Sequence, residues 1–487
     1  VSPGGSTVDR PLRWPLVQQP ANRSESWLKD ARLVNAFAEK DPNTQEWWVQ
    51  KRIGYTSSYS VARGTGRGMY PFGSSAGKDT YSIFSGGFPT PVASMYKNGT
   101  LFGVDGGLDA VGTNGGMYAF VEDQASPNHL VFASLTNIYY TTGTGGWTQA
   151  SLPPHGSSVR GLAYLDQTIY FMDEKGQIFG SAFNNPASWN ALNVVIANAR
   201  YGVGVQLVQQ LNYVIALKTN SMEVFYDPGT NPPPSSPLSP LPGAISPYGA
   251  VDGTPQVIDD ILIYATSDNT VSPQMVRVDN LQTNIISTPA IERLLDAIQA
   301  TPNVTSSWTF KHGGHRFYGL AFKVFNGGFT IVYDIDQNLW YQWTDSAGNH
   351  WPVVAMAYDN QFRHVLQGEM DSTVYIFEGD YEFPTDNGVV APVEIITPNA
   401  DFGTRRRKTL HRKYFHSDQT PGSVLYVSRS DDDYTSWSEP RRVDLGKKNP
   451  QMRNEGTFTR RAYRYRHVSP TALRIKTVDL QMDIGTI

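Results

Sequence analysis

The chain of 487 residues contains no cysteine, so neither disulfides nor thiolate metal sites contribute and stability must come from packing and assembly. It also lacks any run of eighteen apolar residues and any charged-then-apolar leader at Val1, which predicts a soluble protein without a membrane span or secretion signal. A cytoplasmic site of synthesis fits the missing cysteines. Long stretches of helix-forming sequence are scarce too. What is abundant instead is turn and strand material: Gly 44, Pro 32 and aromatics at 12%. The expected class is all-β, and the length favours two or three domains.

A hairpin pattern recurs through the middle of the chain. Ile169-Tyr170-Phe171 is followed by Ile178-Phe179-Gly180, Val214-Ile215-Ala216 by Val224-Phe225-Tyr226, Phe317-Tyr318-Gly319 by Ile331-Val332-Tyr333, and His364-Val365-Leu366 by Val374-Tyr375-Ile376. With Leu262-Ile263-Tyr264 between the second and third pairs, the units repeat at roughly 45 to 55 residues, the size of a propeller blade. A hairpin of this kind cannot bury its apolar face alone, so several must stack radially. Weaker units around Tyr81-Ser82-Ile83-Phe84 and Met117-Tyr118-Ala119-Phe120 raise the expected count to about seven blades, with six as the alternative.

The ends do not share this period. Residues 1–60 read as an N-terminal strand and hairpin region, with an alternating strand at Leu33-Val34-Asn35-Ala36-Phe37 followed by Trp47-Trp48-Val49. Residues 61–385 are the expected β-propeller. Residues 386–487 are a basic C-terminal β domain resembling a small sandwich, with alternating strands at Val424-Leu425-Tyr426-Val427, Ala462 to His467 and Leu473 to Lys476. One helix is signalled: Thr288 caps, Pro289 suits the first turn, and Ile291, Leu294, Leu295 and Ile298 form a stripe, with Glu292, Arg293 and Asp296 on the other face. The segment from Asp227 to Pro247 is proline-rich, with Pro232, Pro233, Pro234 and Pro237 at its centre. It reads as an extended loop that either joins blades or projects into a channel or onto a neighbour.

Candidate chemistry is sparse. Ser430-Asp431-Asp432-Asp433-Tyr434-Thr435-Ser436-Trp437 resembles the Asp-box of sialidase-like propellers, with Tyr434 where that family has glycine; a single box reads as a turn device. His312 and His315 have a metal-compatible spacing but no completing ligands, and Asp334 with Asp336 lacks the continuation of a calcium loop. No nucleophile elbow, phosphate loop or dinucleotide fingerprint occurs in a strand-to-helix context, so no catalytic residue, metal or cofactor is assigned and the chain reads as non-enzymatic.

Charge is distributed unevenly. Residues 401–487 hold 18 Lys and Arg against 10 Asp and Glu, whereas the other 400 hold 22 against 34. The basic end carries Arg405, Arg406, Arg407 and Lys408, then Arg412 and Lys413 beside Tyr414 and Phe415. These are candidate contacts for phosphates or for an acidic partner surface, the alternative being a solvated basic face.

The order of segments resembles the tail accessory, nozzle or packaged-DNA stabilisation proteins of short-tailed bacteriophages. Arg23-Ser24, then Val34-Asn35-Ala36-Phe37-Ala38-Glu39 and Gly54-Tyr55, is similar to that family's opening. Phe183-Asn184-Asn185-Pro186-Ala187-Ser188-Trp189 followed by Ser221-Met222-Glu223-Val224-Phe225-Tyr226-Asp227 is similar to its central signature of two consecutive blades. The helix after Thr288 and a close of Arg460-Arg461, Arg464, Arg466 and Ser469-Pro470 keep the same order. The resemblance implies a structural virion protein made in the host cytoplasm. It would form a ring, expected to be a hexamer, at the far end of the tail, closing the DNA channel below the portal and adaptor. It would carry fibre, spike or needle proteins and touch phage DNA in transit. The competing expectation is a carbohydrate-binding or sialidase-like propeller.

Overall fold

The computed structural model describes the chain from Leu12 to Gly485, apart from residues 24–25, 63, 74–77, 87–91, 114–115, 231–234, 268–272, 301–303, 325–326, 360, 362 and 378–383. Pro232, Pro233 and Pro234 therefore lie outside the described residues. The chain divides into two compact units. One comprises residues 55–338 and 349–379, the other residues 1–54, 339–348 and 380–487.

The first unit is a seven-bladed β-propeller. Its first blade is Thr65–Phe72, Asp79–Gly86 and Val92–Lys97, with Thr100–Phe102 and Leu108–Asp109 at its outer edge. The second runs Ala119–Glu122, Leu130–Ala133, Ile138–Thr141 and Thr148–Ala150, and the third Leu162–Leu165, Thr168–Met172, Gln177–Ala182 and Asn185–Ile196. The fourth is Gly204–Gln210, Tyr213–Lys218, Met222–Tyr226 and Ser239–Ser246, and the fifth Gln256–Ile258, Ile261–Ala265, Met275–Asp279 and Gln282–Ile285. Val304–His312, His315–Val324 and Gly327–Asp334 make the sixth.

The seventh blade joins Val353–Tyr358, His364–Gly368 and Thr373–Phe377 to Thr56–Ser60, which pairs antiparallel with Thr373–Phe377. The last blade thus takes its outer strand from the beginning of the propeller, which ties the circle shut. A boundary at residue 60 does not hold for this reason, because the closing strand lies 313 residues from its partner (Ser60 Oγ to Thr373 Oγ1, 3.1 Å).

The paired runs read from sequence are the second and third strands of their blades. Tyr170 faces Gly180, Ile215 faces Val224, Tyr318 faces Tyr333, and Val365 faces Ile376. These inner strands bury both faces, which is why they are apolar throughout and not alternating. Between consecutive blades the side chains form separate apolar layers. One joins Val131 and Ile138 to Ile169 and Phe171, the next joins Tyr170 and Ile178 to Val214 and Phe225, and a third joins Ile215 and Val224 to Leu262 and Val276. A layer of Met69 and Phe84 with Val365 and Val374 completes the ring from seventh blade to first.

The helix forms as expected, as Pro289–Ala300, with the Ile291 amide donating to Thr288 Oγ1 (3.4 Å) and Ile291 and Leu295 fully buried against strand His315–Val324. Glu292 departs from the expected solvent face. It is buried and accepts from Ser287 Oγ and Gln274 Nε2, both at 3.2 Å. The proline-rich segment departs further. Ser239–Ser246 is the outermost strand of the fourth blade, and Leu238 is buried in the layer between third and fourth blades, with Pro237 half-buried beside it. Proline is tolerated there because an edge strand leaves one side unpaired, and a bulge between Glu223 and Phe225 absorbs the mismatch.

The second unit is a sandwich of two sheets. One has the order Ala36–Lys40, Trp47–Lys51, Arg474–Ile484, Lys408–Ser417, Gln451–Phe458, with Leu12–Arg13 also pairing with Arg474–Ile484. Its other sheet has the order Leu339–Trp343, Arg32–Val34, Val393–Ile396, Ala462–His467, Val424–Ser430, Arg441–Asp444. The N-terminal and C-terminal segments, read from sequence as separate domains, are therefore one unit. Leu33 to Phe37 is not a single half-buried strand either: all five residues are buried, and the chain passes from one sheet to the other at Asn35. Asn35 has φ 53°, a left-handed conformation that asparagine tolerates better than a branched residue. Its side chain bonds Thr344 Oγ1 (2.8 Å), Pro392 O (2.9 Å) and Arg52 Nε (2.9 Å).

Candidate functional site

The basic segment sits on the sandwich. Arg405, Arg406 and Arg407 occupy the turn that enters strand Lys408–Ser417, and all three are exposed. Lys408 is not part of that surface. It is buried, and its ammonium donates to the carbonyls of Thr404 (2.6 Å), Arg406 (2.9 Å) and Thr459 (2.8 Å), three acceptors that match its three protons. This clamp closes the turn and brings the Thr459-Arg460 corner beside it. Arg460 is half-exposed there, 3.4 Å from Asp433. The exposed cationic group is thus Arg405, Arg406, Arg407 and Arg460, a combination the strand-long spacing hid.

Lys413 is likewise withdrawn. Strand alternation turns it into the sandwich, where its Nζ lies 3.2 Å from Glu455 Oε2 and 3.3 Å from the centre of the Tyr463 ring. Burial pushes its pKa down to about 7, and the neighbouring guanidiniums of Arg461 and Arg441 push the same way against the pull of Glu455. Glu455 also accepts from Arg441 (2.6 Å) and Tyr463 (3.0 Å), while Arg461 is bidentate to Asp431 (2.6 and 2.8 Å). Arg412 is half-buried, with its guanidinium 3.5 Å from the Tyr414 hydroxyl. The expected contact set of six therefore keeps Arg405, Arg406, Arg407 and in part Arg412, and loses Lys408 and Lys413 to the interior.

The propeller axis is concave. The first strands of all seven blades line a cavity of about 440 Å3, with Met69, Gln206, Gln209, Gln256, Thr309 and Met356 among its walls and no ionisable group beyond Tyr70 and Tyr118. The two units differ in charge: the sandwich holds 26 of the 40 Lys and Arg and 21 of the 44 Asp and Glu, leaving 14 and 23 to the propeller. None of that acidic surplus lines the axis, and much of it is buried within the blades, as at Asp123, Asp173 and Asp334.

The remaining sequence candidates serve turns. Asp432 accepts from Ser430 Oγ (2.8 Å), the Ser436 amide (3.0 Å) and the Ser436 hydroxyl (2.5 Å), and these bonds hold its carboxyl down to about 2. Asp433 and Tyr434 both take positive φ, which supplies at Tyr434 the conformation that glycine provides in the Asp-box family. His315 is buried against Asp334 (Nδ1 to Oδ2, 2.7 Å), and Asp336 is paired with Arg316 (2.7 Å). Among the described residues no three His, Asp or Glu side chains converge as a metal site requires.

A recurring device went unread. Asp123, Asp173, Asp334 and Asp359 each end a blade strand and accept two backbone amides of the following turn, as Asp173 does from Lys175 (2.9 Å) and Gln177 (2.8 Å). The signal was available: an aspartate directly after an apolar run and before Gly, Asn or a polar turn.

No protein-family model and no curated protein matches the chain. Among solved structures, it is similar to the computationally designed Ika8 protein (15% identity, TM-score 0.40, 66% of this chain and 99% of that one). The WD40 repeats of RRP9 align at 8% identity and TM-score 0.38 over 70% of this chain and 99% of theirs. YCF48 bound to D1 peptide aligns at 13% identity and TM-score 0.40 over 73% of this chain and 100% of that one. No helix among the described residues is long and apolar enough to cross a membrane.

Proposed function

We propose that this chain is a non-catalytic subunit of a ring-shaped nozzle at the far end of a short-tailed bacteriophage tail, where it retains packaged DNA and carries further tail proteins. The observation that supports the reading is where the family-like segments fall. Val34-Asn35-Ala36 is the crossing between the two sandwich sheets, and Phe183 to Trp189 with Ser221 to Asp227 occupies two consecutive blades, the third and fourth. A motif order that lands on the junctions of one fold is harder to reach by chance than any of its loose members alone.

The physics of the role agrees. A closed propeller is a rigid wedge suited to head-to-tail packing, and the excess of Asp and Glu over Lys and Arg in this unit would disfavour phosphate binding in a lumen built from several copies. The exposed Arg405, Arg406, Arg407 and Arg460 then suit an acidic neighbour, such as an adaptor protein or another subunit, held by salt-sensitive contacts. Native mass spectrometry and electron microscopy of the purified chain, and of virions, test the reading. A ring, a hexamer in particular, that co-purifies with tail proteins is the expected result; a chain that stays monomeric and is absent from particles removes it.

A further inference from the structure

A second concave site lies on the propeller rim, between the outer parts of the third and fourth blades. It encloses about 440 Å3, within the range of small-ligand sites, and is lined by the Ala182-Phe183 turn, strand Asn185–Ile196 and the residues Asp227, Gly229, Ser235 and Pro237. Two features of it point to one ligand chemistry. First, its walls hold Ser188, Asn190, Asn193 and Thr168 with one carboxylate, Asp227, and no lysine, arginine or histidine. Such a set offers many neutral donors and acceptors and repels anions. Second, Phe183 stands at its wall 64% exposed, an aromatic face left in water by a turn that had room for a polar residue.

The turn itself is held firmly. Asn184 takes φ 46°, accepts from the Tyr164 hydroxyl (2.9 Å) and donates its amide to Gln167 O (2.6 Å), while Trp189 packs edge-on to Phe171 at 5.2 Å. Phe183 is thereby presented at a fixed place without moving on binding. We propose that this cleft binds a neutral saccharide, with one sugar ring stacked on Phe183 and its hydroxyls bonded by Asp227, Ser188 and Asn190. An aromatic face beside a planar carboxylate and amides matches a sugar, which has an apolar C–H face and a rim of vicinal hydroxyls. The site is unrelated to the Asp432 turn, which belongs to the other unit.

The test is titration of the full chain with neutral oligosaccharides (maltose, lactose, cellobiose and chitobiose) and with sialyllactose as the anionic comparison, read by saturation-transfer NMR and calorimetry. Binding of at least one neutral sugar with a dissociation constant of about 1 mM or tighter is expected. Phe183→Ala and Asp227→Asn should each weaken it about tenfold or more, and Phe183→Trp should restore it. Both positions are on the surface, and asparagine keeps the acceptor that Asp227 offers the Gly229 amide, so circular dichroism should show an unchanged fold. The inference is overturned if no neutral sugar binds, if binding survives both substitutions, or if sialyllactose binds best. It does not rest on the ring: a monomeric chain that binds sugar leaves it standing, and an assembled ring indifferent to sugar removes it alone.

Discussion

The propeller and the sandwich are both all-β, yet they are built in opposite ways. Each blade of the propeller is a run of neighbouring strands joined by turns, and among the described residues the long-range strand pairing within a blade is that of Thr56–Ser60 on the seventh. The sandwich is assembled from three distant stretches of chain, so nearly every sheet neighbour is remote in sequence. Their interiors differ correspondingly. Layers such as Ile215, Val224, Leu262 and Val276 hold the blades together, while the sandwich buries Arg52, Asp386, Lys413, Glu455 and Arg461 beside its apolar residues. Apolar layers tolerate small shifts because they are non-directional. Buried charges do not, since each must find its partner, and this gives the distant segments of the sandwich a defined way to meet.

That contrast predicts where the molecule is easiest to break. Arg52 from the N-terminal segment is bidentate to Asp386 from the C-terminal one (2.8 and 2.5 Å), with both side chains almost fully buried. Asp386→Ala should cost about 3 to 5 kcal/mol by stranding the guanidinium, the largest single effect expected. Urea denaturation with hydrogen exchange would show protection lost in strands Val393–Ile396 and Arg474–Ile484 before the blades. A loss below about 1 kcal/mol would mean the pair does not join the segments. Glu455→Gln should follow at about 3 kcal/mol, because Lys413 and Arg461 would then share the interior without that carboxylate.

The blades should also fail by shape. Gly319 faces Trp308 across the sixth blade, and a β-carbon there would stand 2.2 Å from the indole. Gly319→Ala should cost about 1 to 3 kcal/mol and lower protection in that blade alone, measured the same way.

A pH experiment sharpens the comparison. The folded pKa of Lys413, about 7, lies below the ordinary lysine value, so between the two the unfolded chain holds a proton that the folded chain lacks. Stability of the sandwich should therefore rise as pH increases from about 7 toward about 10. Lys413→Met should flatten that slope and be neutral or stabilising by about 1 kcal/mol near neutral pH, with Glu455 still paired to Arg441. Unfolding midpoints at the two ends of the window decide it. The smallest effect on stability belongs to Arg405, Arg406 and Arg407 changed together to alanine, within about 0.5 kcal/mol, since all three are exposed. If they serve assembly, salt-dependent association should weaken while the fold is untouched.

Much of the propeller was legible because a blade is local. The pairing of Ile169-Tyr170-Phe171 with Ile178-Phe179-Gly180 needs only a short turn between them, and the apolar content of both marks them as inner strands. The candidate site was legible only in part. Arg405 to Lys408 reads as one basic run, but whether a lysine ends in water or on three carbonyls depends on the turn that surrounds it. The same holds for Lys413, where alternation marks an inward face and the charge argues for an outward one; Glu455, forty-two residues later, decides the matter.

The sequence by itself determined the all-β class, the blade period, the capped helix at Pro289 and the turn made by Asp432, because each depends on residues within a few positions of one another. Tertiary structure alone decided that Thr56–Ser60 closes the last blade, that both ends of the chain share one sandwich, and that Phe183 and Asp227 meet across one cleft. These depend on contacts between segments tens to hundreds of residues apart. No local propensity encodes such contacts; they arise when strand edges and buried charges must be satisfied by whatever the rest of the fold brings near.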